Sequence, residues 1–451
     1  MYQFSSKLKM FSIILMVAGL LGMAYGFINV PKDTHAMEEI LNAQSQGHDT
    51  HATADSHAKK DTHAEDSHKV ASHDNAHVGK DEHQEHLEHV LKQYKNKPWS
   101  AFFITAFFFF MLSVMVLVFY AIQWASEAGW SITIFRVMEA LTAYILPGSI
   151  LMLIFLFASG FHMNDIYVWM GDHAAHDELI QAKKWWLNIP SWLIRSVLYL
   201  AGYNIFRYFL VSNSLKLDAT KSYKTYIRNK NIAVGFLLFF AVSELFLAFD
   251  WLMSLDPHWF SQLYSFYVLA SMLVTAITTI AMVTIYLKSK GYLPQVTNSH
   301  LHDLAKFMFG FSIFWTYFWF DQFMLQWYSN QPEETVYFVP RLLGAYQLPF
   351  ISMLVLNFVL PVLILMSSDF KRLNWFIMIA GLSIIVGHYT DIFVLIAPAT
   401  VGDQYSFGIP EFASILFFLG LFIFIVFRAL AKVPLQAVGN PFMTESENFH
   451  Y

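Results

Sequence analysis

Runs of about 20 consecutive apolar residues recur along most of the chain, and that repetition decides the fold class. A run of this length crosses a hydrocarbon core of about 30 Å as an α-helix. In lipid every backbone N–H and C=O must be paired internally, so helices or a closed barrel are the only spanning solutions, and runs of this length predict helices. At 451 residues, 56% hydrophobic, 18% aromatic and 14% charged, the sequence has too little polar surface to coat a soluble globule. We read it as an all-α integral membrane protein. Its spans are expected over Met10–Val30 and then over about 99–125, 131–160, 186–212, 231–255, 261–288, 303–328, 341–367, 373–399 and 407–432, ten transmembrane helices in all.

Charge in the connecting segments orients these helices. Segment 213–230 holds Lys216, Lys221, Lys224, Arg228 and Lys230 against one Asp218, and Lys288/Lys290, Lys371/Arg372 and Arg428/Lys432 mark further basic ends. All fall on one side if the N-terminus is cytoplasmic, whereas the alternate loops GDHAAHDE and NQPEET are acidic or neutral. The positive-inside rule then places both termini in the cytoplasm. Trp and Tyr at segment ends, as in KKWWLNIPSW and LQWYSN, suit interfacial belts. Lys7 and Lys9 ahead of the first run resemble a signal peptide, but the run is long and lacks a small-x-small cleavage site, so a retained first helix is expected. Its Gly22-x-x-x-Gly26 is a candidate packing surface.

Residues 31–98 differ in kind. They carry eleven of the nineteen His, with eight Lys against thirteen Asp or Glu, a net of −5 that equals the formal charge of the whole protein. Such a composition cannot bury a core, so a mobile His-rich periplasmic loop is expected, with a helical piece near 81–94. A solvated insertion is one reading, and weak metal binding or pH buffering by neutral imidazoles is another. The chain divides into a first helix (1–30), this loop (31–98), helices two to five (99–255), helices six to nine (256–399), and a tenth helix with its tail (400–451).

There is no cysteine, which excludes disulfides, cysteine-held Fe–S clusters, c-type haem attachment and cysteine zinc sites on this chain. Neither charge segregation nor a Walker or G-x-G-x-x-G loop points to nucleic acid or nucleotide.

Ionisable residues inside apolar helices are functional candidates by default, because lipid penalises an unpartnered charge. Glu244, in FFAVSELFLAFDWLMSLDPHWF (239–260), lies about 13 residues from its helix start, roughly 20 Å deep. Asp250 is six positions on, about 240° around the helix, so the two acids face different ways. Glu139 has Arg136 and Thr142 three residues to either side, and a structural Arg136–Glu139 pair is the plain alternative to a proton site. Pro147-Gly148 is a candidate kink above it. Arg195, near the midplane with Tyr199 and Tyr203 at four-residue steps, must find a carboxylate or ligand oxygen, and Glu139 or Glu244 is the expected partner. Asp321 stands beside Gln322, and His388 and Asp391 are i,i+3 neighbours able to exchange a proton or to cap one another. Glu333 and Glu411 follow a Pro at helix starts, where an acid complements the dipole. His388 is the one deep histidine, so the chain is not expected to hold haem. His162, Asp172, His173 and His176 share an outer loop that could ligate a metal.

WLNIPSWLIRSVLYL, FAVSELFLAFDWLMSLDPHWFS, LHDLAKFMF, WFDQFMLQWYSNQPEET and HYTDIFVLIAP together resemble the ActF-type NrfD-like membrane subunits of alternative complex III, the bacterial quinol:cytochrome c oxidoreductase. The resemblance covers roughly residues 100–430 and leaves the His-rich segment outside. It implies two four-helix bundles, helices 2–5 and 6–9, flanked by the first and last helices. It also implies a bacterial inner-membrane respiratory complex containing a second NrfD-like subunit, an iron–sulfur subunit, haem c subunits and often a terminal oxidase. Menaquinone or ubiquinone is the implied substrate, with quinol oxidation generally on the other NrfD-like subunit. On this basis Glu139, Glu244, Asp250, Asp321, His388 and Asp391 are proton-pathway candidates, and Arg195, Tyr199 and Gln347 quinone or ion-pair candidates. No catalytic residue and no metal is assigned to the chain itself. A secondary transporter and a purely structural anchor remain the alternatives.

Overall fold

The computed structural model describes residues 1–31, 33–38, 75–405 and 407–450, and among them there is no strand. Most of the His-rich stretch, residues 39–74, lies outside them, and with it the expectation of mobility and metal binding there. The long helices are α1 (Ser6–Ile28), α2 (Asn75–Ala125), α3 (Gly129–Gly160), α4 (Ile189–Thr220), α5 (Tyr223–Trp251), α6 (Tyr264–Ser289), α7 (Asn298–Ser329), α8 (Gln347–Leu365), α9 (Asn374–Val401) and α10 (Ile409–Leu430). Eight of them are long and apolar enough to cross a membrane, and α4 and α7 are the two long helices that are less apolar. The molecule is thus an all-α, multi-pass membrane protein.

α2 and α6 are the most enclosed spans, buried almost all round, as their unbroken apolar sequences require. α2 packs on α3, α5, α6, α9 and α10, and α6 on α5, α7 and α9. α1 lies along α10 and turns Ile14, Val17, Leu20 and Leu21 outward. That contact runs through Gly19, Gly22 and Gly26. A Cβ at Gly19 would sit 2.4 Å from the Phe417 backbone N, and one at Gly22 2.6 Å from the Ala413 Cβ. Gly19→Leu is therefore expected to lever α1 off α10 at about 1–3 kcal/mol. Faster proteolysis of the N-terminal segment in the purified variant would register it, and an unchanged rate would refute the tight contact.

Helix boundaries depart from expectation where side chains override composition. α2 begins at Asn75 rather than near 99 and runs through Pro98, so the helical piece expected near 81–94 is part of one continuous helix that takes in all of 75–98. The reason is a short apolar face, Leu87, Val90 and Leu91, at helical spacing and buried, with Met37 packed against it. The Asn96 side chain then binds the Asp165 backbone at 3.0–3.1 Å. In α3 the break is a 3-10 turn at Thr142–Tyr144, just ahead of Pro147. Proline offers no N–H and crowds the carbonyl four residues before it, which favours this tightening. Pro361 acts similarly in α8, where Val355–Val359 forms a π turn. α8 starts at Gln347, after a separate turn at Val339–Leu342, rather than at 341.

In the segment between α3 and α4, Asp177 caps the short helix Glu178–Ala182 through Leu179 and Ile180 N–H at 2.9 and 3.1 Å and meets His258 Nε2 at 2.6 Å. The Ile180 N–H, and after it His258, hold the Asp177 carboxyl below its ordinary 3.8. The fold thus favours the ionised form. The tie is fully present above about pH 4 and weakens as pH falls through the depressed value. Protection of the Leu179 and Ile180 amides, taken against their intrinsic exchange rates, should fall only under acid, and Asp177→Ala should show the lower protection, and so the faster rate, already at neutral pH. Equal rates in the two proteins at neutral pH would contradict this.

Candidate functional site

The buried charges sort into three clusters, each built between specific helices. The first joins α4 and α5. Asp250, fully buried, accepts Arg195 Nε and Nη2, both at 2.8 Å, Trp186 Nε1 at 2.8 Å and Tyr199 Oη at 3.0 Å. Arg195 gives two of its other three hydrogens to Ser191 Oγ (2.6 Å) and the Trp186 carbonyl (3.2 Å), and its guanidinium lies 4.0 Å from the Trp186 ring centroid. Its partner is therefore Asp250, not Glu139 or Glu244. The 240° offset decides this: only one of the two acids on α5 can face α4. Glu244 is buried elsewhere on the helix, and its Oε1 has no hydrogen-bond partner among the described residues.

The second cluster lies at the basic end of α2, α3 and α4. Glu139 pairs with Arg136 and accepts Tyr120 Oη at 2.7 Å and Ser214 Oγ at 2.5 Å. Arg136, fully buried, also pairs with Asp218, whose other oxygen accepts the Gly439 N–H at 3.0 Å. The C-terminal tail is thus wired to Glu139 through Asp218 and Arg136. Glu139 also borders a partly open cavity of about 380 Å³ shared with Arg207, Arg428 and Lys432.

The third cluster gathers α6, α7 and α9. Asp391 accepts Tyr267 Oη, Ser271 Oγ at 2.7 Å and Trp315 Nε1 at 3.1 Å. His388 Nδ1 is 2.9 Å from Ser271 Oγ and 3.4 Å from Asp391. Because Ser271 has one proton and gives it to Asp391, His388 Nδ1 carries the proton that it shares with Ser271. Its Nε2, fully buried, has no partner among the described residues. The side-chain amide of Asn357 in the π turn is also buried and has no partner among the described residues, and a Cβ at Gly387 would come within 2.0 Å of its Oδ1. His388 and Asp391 are thus linked through Ser271 as well as by their i,i+3 spacing.

Other candidates stand apart. Asp321 is half-buried on a stretch of α7 that exposes Tyr317, Phe320 and Met324, and it belongs to none of the clusters. Gln347 is exposed at the first residue of α8. Glu411 caps α10 through the Gly408 N–H at 2.8 Å, and Glu333 is exposed. Among the described residues no three His, Asp or Glu side chains gather at ligand range, so His162, Asp172, His173 and His176 do not converge on a metal site.

Several participants had no intramembrane charge to advertise them. Tyr120, Ser214, Tyr267, Ser271 and Trp315 are ordinary residues of apolar helices until packing turns them toward a carboxylate. Arg341 had a signal, a cation at the edge of an apolar run. It is buried, lies 3.5 Å from the Tyr337 ring centroid and donates to the Val394 carbonyl at 3.2 Å. With Asp256, Tyr264 and Tyr337 it borders a second cavity of about 120 Å³ at the end of the molecule opposite Glu139.

The fold and these clusters define a multi-pass helical membrane protein with buried, hydrogen-bonded carboxylates in two separate groups of helices. The chain matches no protein-family model and no curated protein.

Proposed function

We propose that this chain is a membrane subunit of a respiratory quinol:cytochrome c oxidoreductase, which anchors the assembly and offers a protonatable pathway. The observation that carries the reading is the cavity that reaches the Glu139 carboxylate from the basic end of the helices. A purely structural ion pair has no use for such access, whereas a proton site requires it. In this reading all ten helices cross a bacterial inner membrane with both termini in the cytoplasm. The neighbour relations support two four-helix bundles, since α2, α3, α4 and α5 touch in a ring, as do α6, α7, α8 and α9. Glu139 serves the cytoplasmic half of the first bundle, and Asp391 with His388 serves the outer half of the second, toward the cavity at Arg341.

Asp250 leaves the pathway in this account. Four donors, two of them from the Arg195 guanidinium, fix it as a counter-ion, so it and Arg195 hold α4 to α5. Of the three quinone or ion-pair candidates, Arg195 and Tyr199 take the ion-pair role with Asp250, and Gln347 stands apart from them, exposed at the start of α8. Quinol oxidation is accordingly assigned to the second NrfD-like subunit, with haem c and iron–sulfur centres on further partners.

Glu139→Gln keeps the size of the side chain and its hydrogen bonding to Tyr120 and Ser214, but removes the exchangeable proton. In reconstituted vesicles of the assembled complex the proton-to-electron ratio should fall while electron transfer continues. An unchanged ratio with normal subunit content would leave only the structural anchor.

A further inference from the structure

The cavity at Glu139 has a property that proton access does not require: it is strongly cationic and walled by apolar side chains. Arg207, Val211 and Leu215 line it at four-residue steps on α4, and Phe424 and Arg428 line it on α10, with Lys432 in the turn that follows. Arg207 spends its Nε on Thr142 Oγ1 at 3.1 Å, and none of these three cations forms an ion pair among the described residues. Glu139 offsets them only in part, because one carboxylate at the wall, itself sharing Arg136 with Asp218, faces three cations. A cleft between helices with such an excess of cations attracts an anion. Because its walls are Val211, Leu215, Phe424 and Ile425 rather than polar groups, the fitting anion carries an apolar tail.

We propose that this cleft between α3, α4 and α10 binds an anionic phospholipid, with the phosphate among Arg207, Arg428 and Lys432 and an acyl chain along the α4 and α10 side chains. Basic pockets between transmembrane helices on the cytoplasmic side suit such head groups. Only the choice of leaflet rests on the orientation given under the proposed function. The site itself rests on the cleft and its charges. Bound lipid would close the cavity mouth over Glu139, so lipid exchange and proton access would share one opening.

The test is lipid retention by the full chain, purified with its natural partners in mild detergent and exchanged into bilayer discs of phosphatidylcholine containing a minor share of phosphatidylglycerol. Mass spectrometry of the bound lipid should show phosphatidylglycerol enriched over its share. Arg428→Gln/Lys432→Gln, both exposed positions, should reduce that enrichment by about tenfold, at roughly a few-fold per lost charge. Lys224→Gln/Lys290→Gln, equally exposed on other basic loops, should leave it intact. Glycerol 3-phosphate at millimolar concentration should not displace the lipid. The proposal is overturned by equal retention of the two lipids, by equal loss in both double variants, or by displacement with glycerol 3-phosphate, which would make the cleft a site for soluble phosphate. None of these readouts depends on redox or proton activity, so failure here and failure of the respiratory reading are separable.

Discussion

Asp250→Ala is expected to destabilise the protein by about 3–5 kcal/mol, the typical effect of removing one member of a buried ion pair. The variant strands the Arg195 guanidinium, only 14% exposed, and leaves the Trp186 Nε1 and Tyr199 Oη hydrogens without their acceptor. Each such buried orphan adds a desolvation penalty of about 1–3 kcal/mol. Arg195→Lys should be intermediate, because an ammonium cannot reproduce the two parallel bonds from Nε and Nη2. Removing both charges, as Arg195→Leu/Asp250→Leu, should recover part of the loss, since no ion is then left unpaired. Thermal unfolding in mild detergent, followed by tryptophan fluorescence, orders the four proteins. A cost below about 1 kcal/mol for Asp250→Ala would mean that the pair does not hold α4 to α5.

At Asp391 the two roles of a buried carboxylate should separate. Asp391→Ala leaves Tyr267, Ser271 and Trp315 facing an empty acceptor position and should cost about 3 kcal/mol or more. Asp391→Asn keeps one acceptor oxygen for Ser271 and Trp315, and its amide can donate to the Tyr267 hydroxyl, which accepts as readily as it donates. That variant should assemble at a cost of about 1 kcal/mol. It cannot take up a proton at neutral pH, however, so proton transfer through this cluster should slow by about 10²-fold or more. The comparison needs both readouts, unfolding and proton flux per electron. Normal flux in the assembled Asn variant would reduce the cluster to a packing device.

How much of this was readable in the sequence differs residue by residue. The apolar runs placed the helices because lipid leaves the backbone no other option, and the Arg136–Glu139 contact followed from its three-residue spacing. Arg195 was recognisable as a cation in need of a partner, yet the two acids expected for it, Glu139 and Glu244, are not the one it meets. The choice of Asp250 depended on which side of α5 faces α4, a fact of packing and not of composition. The same holds for Asp218, a loop acid in the sequence that the fold brings between Arg136 and the C-terminal tail. A helical piece near 81–94 was expected, but polar residues dominate there, and the three apolar residues that anchor it carry too little weight in an average to show a helix running unbroken from Asn75 into the apolar span. Asp321 is the reverse case, a carboxylate in an apolar run that the packing left on a partly exposed face.

The central claim is that this protein works inside a respiratory complex. It is tested most directly by purifying the tagged chain in mild detergent, identifying co-purifying subunits by mass spectrometry and recording a reduced-minus-oxidised spectrum. The expected result is an iron–sulfur subunit, a second NrfD-like subunit, a haem c spectrum and quinol:cytochrome c activity. A colourless chain that purifies alone, with its buried carboxylates intact, would contradict it.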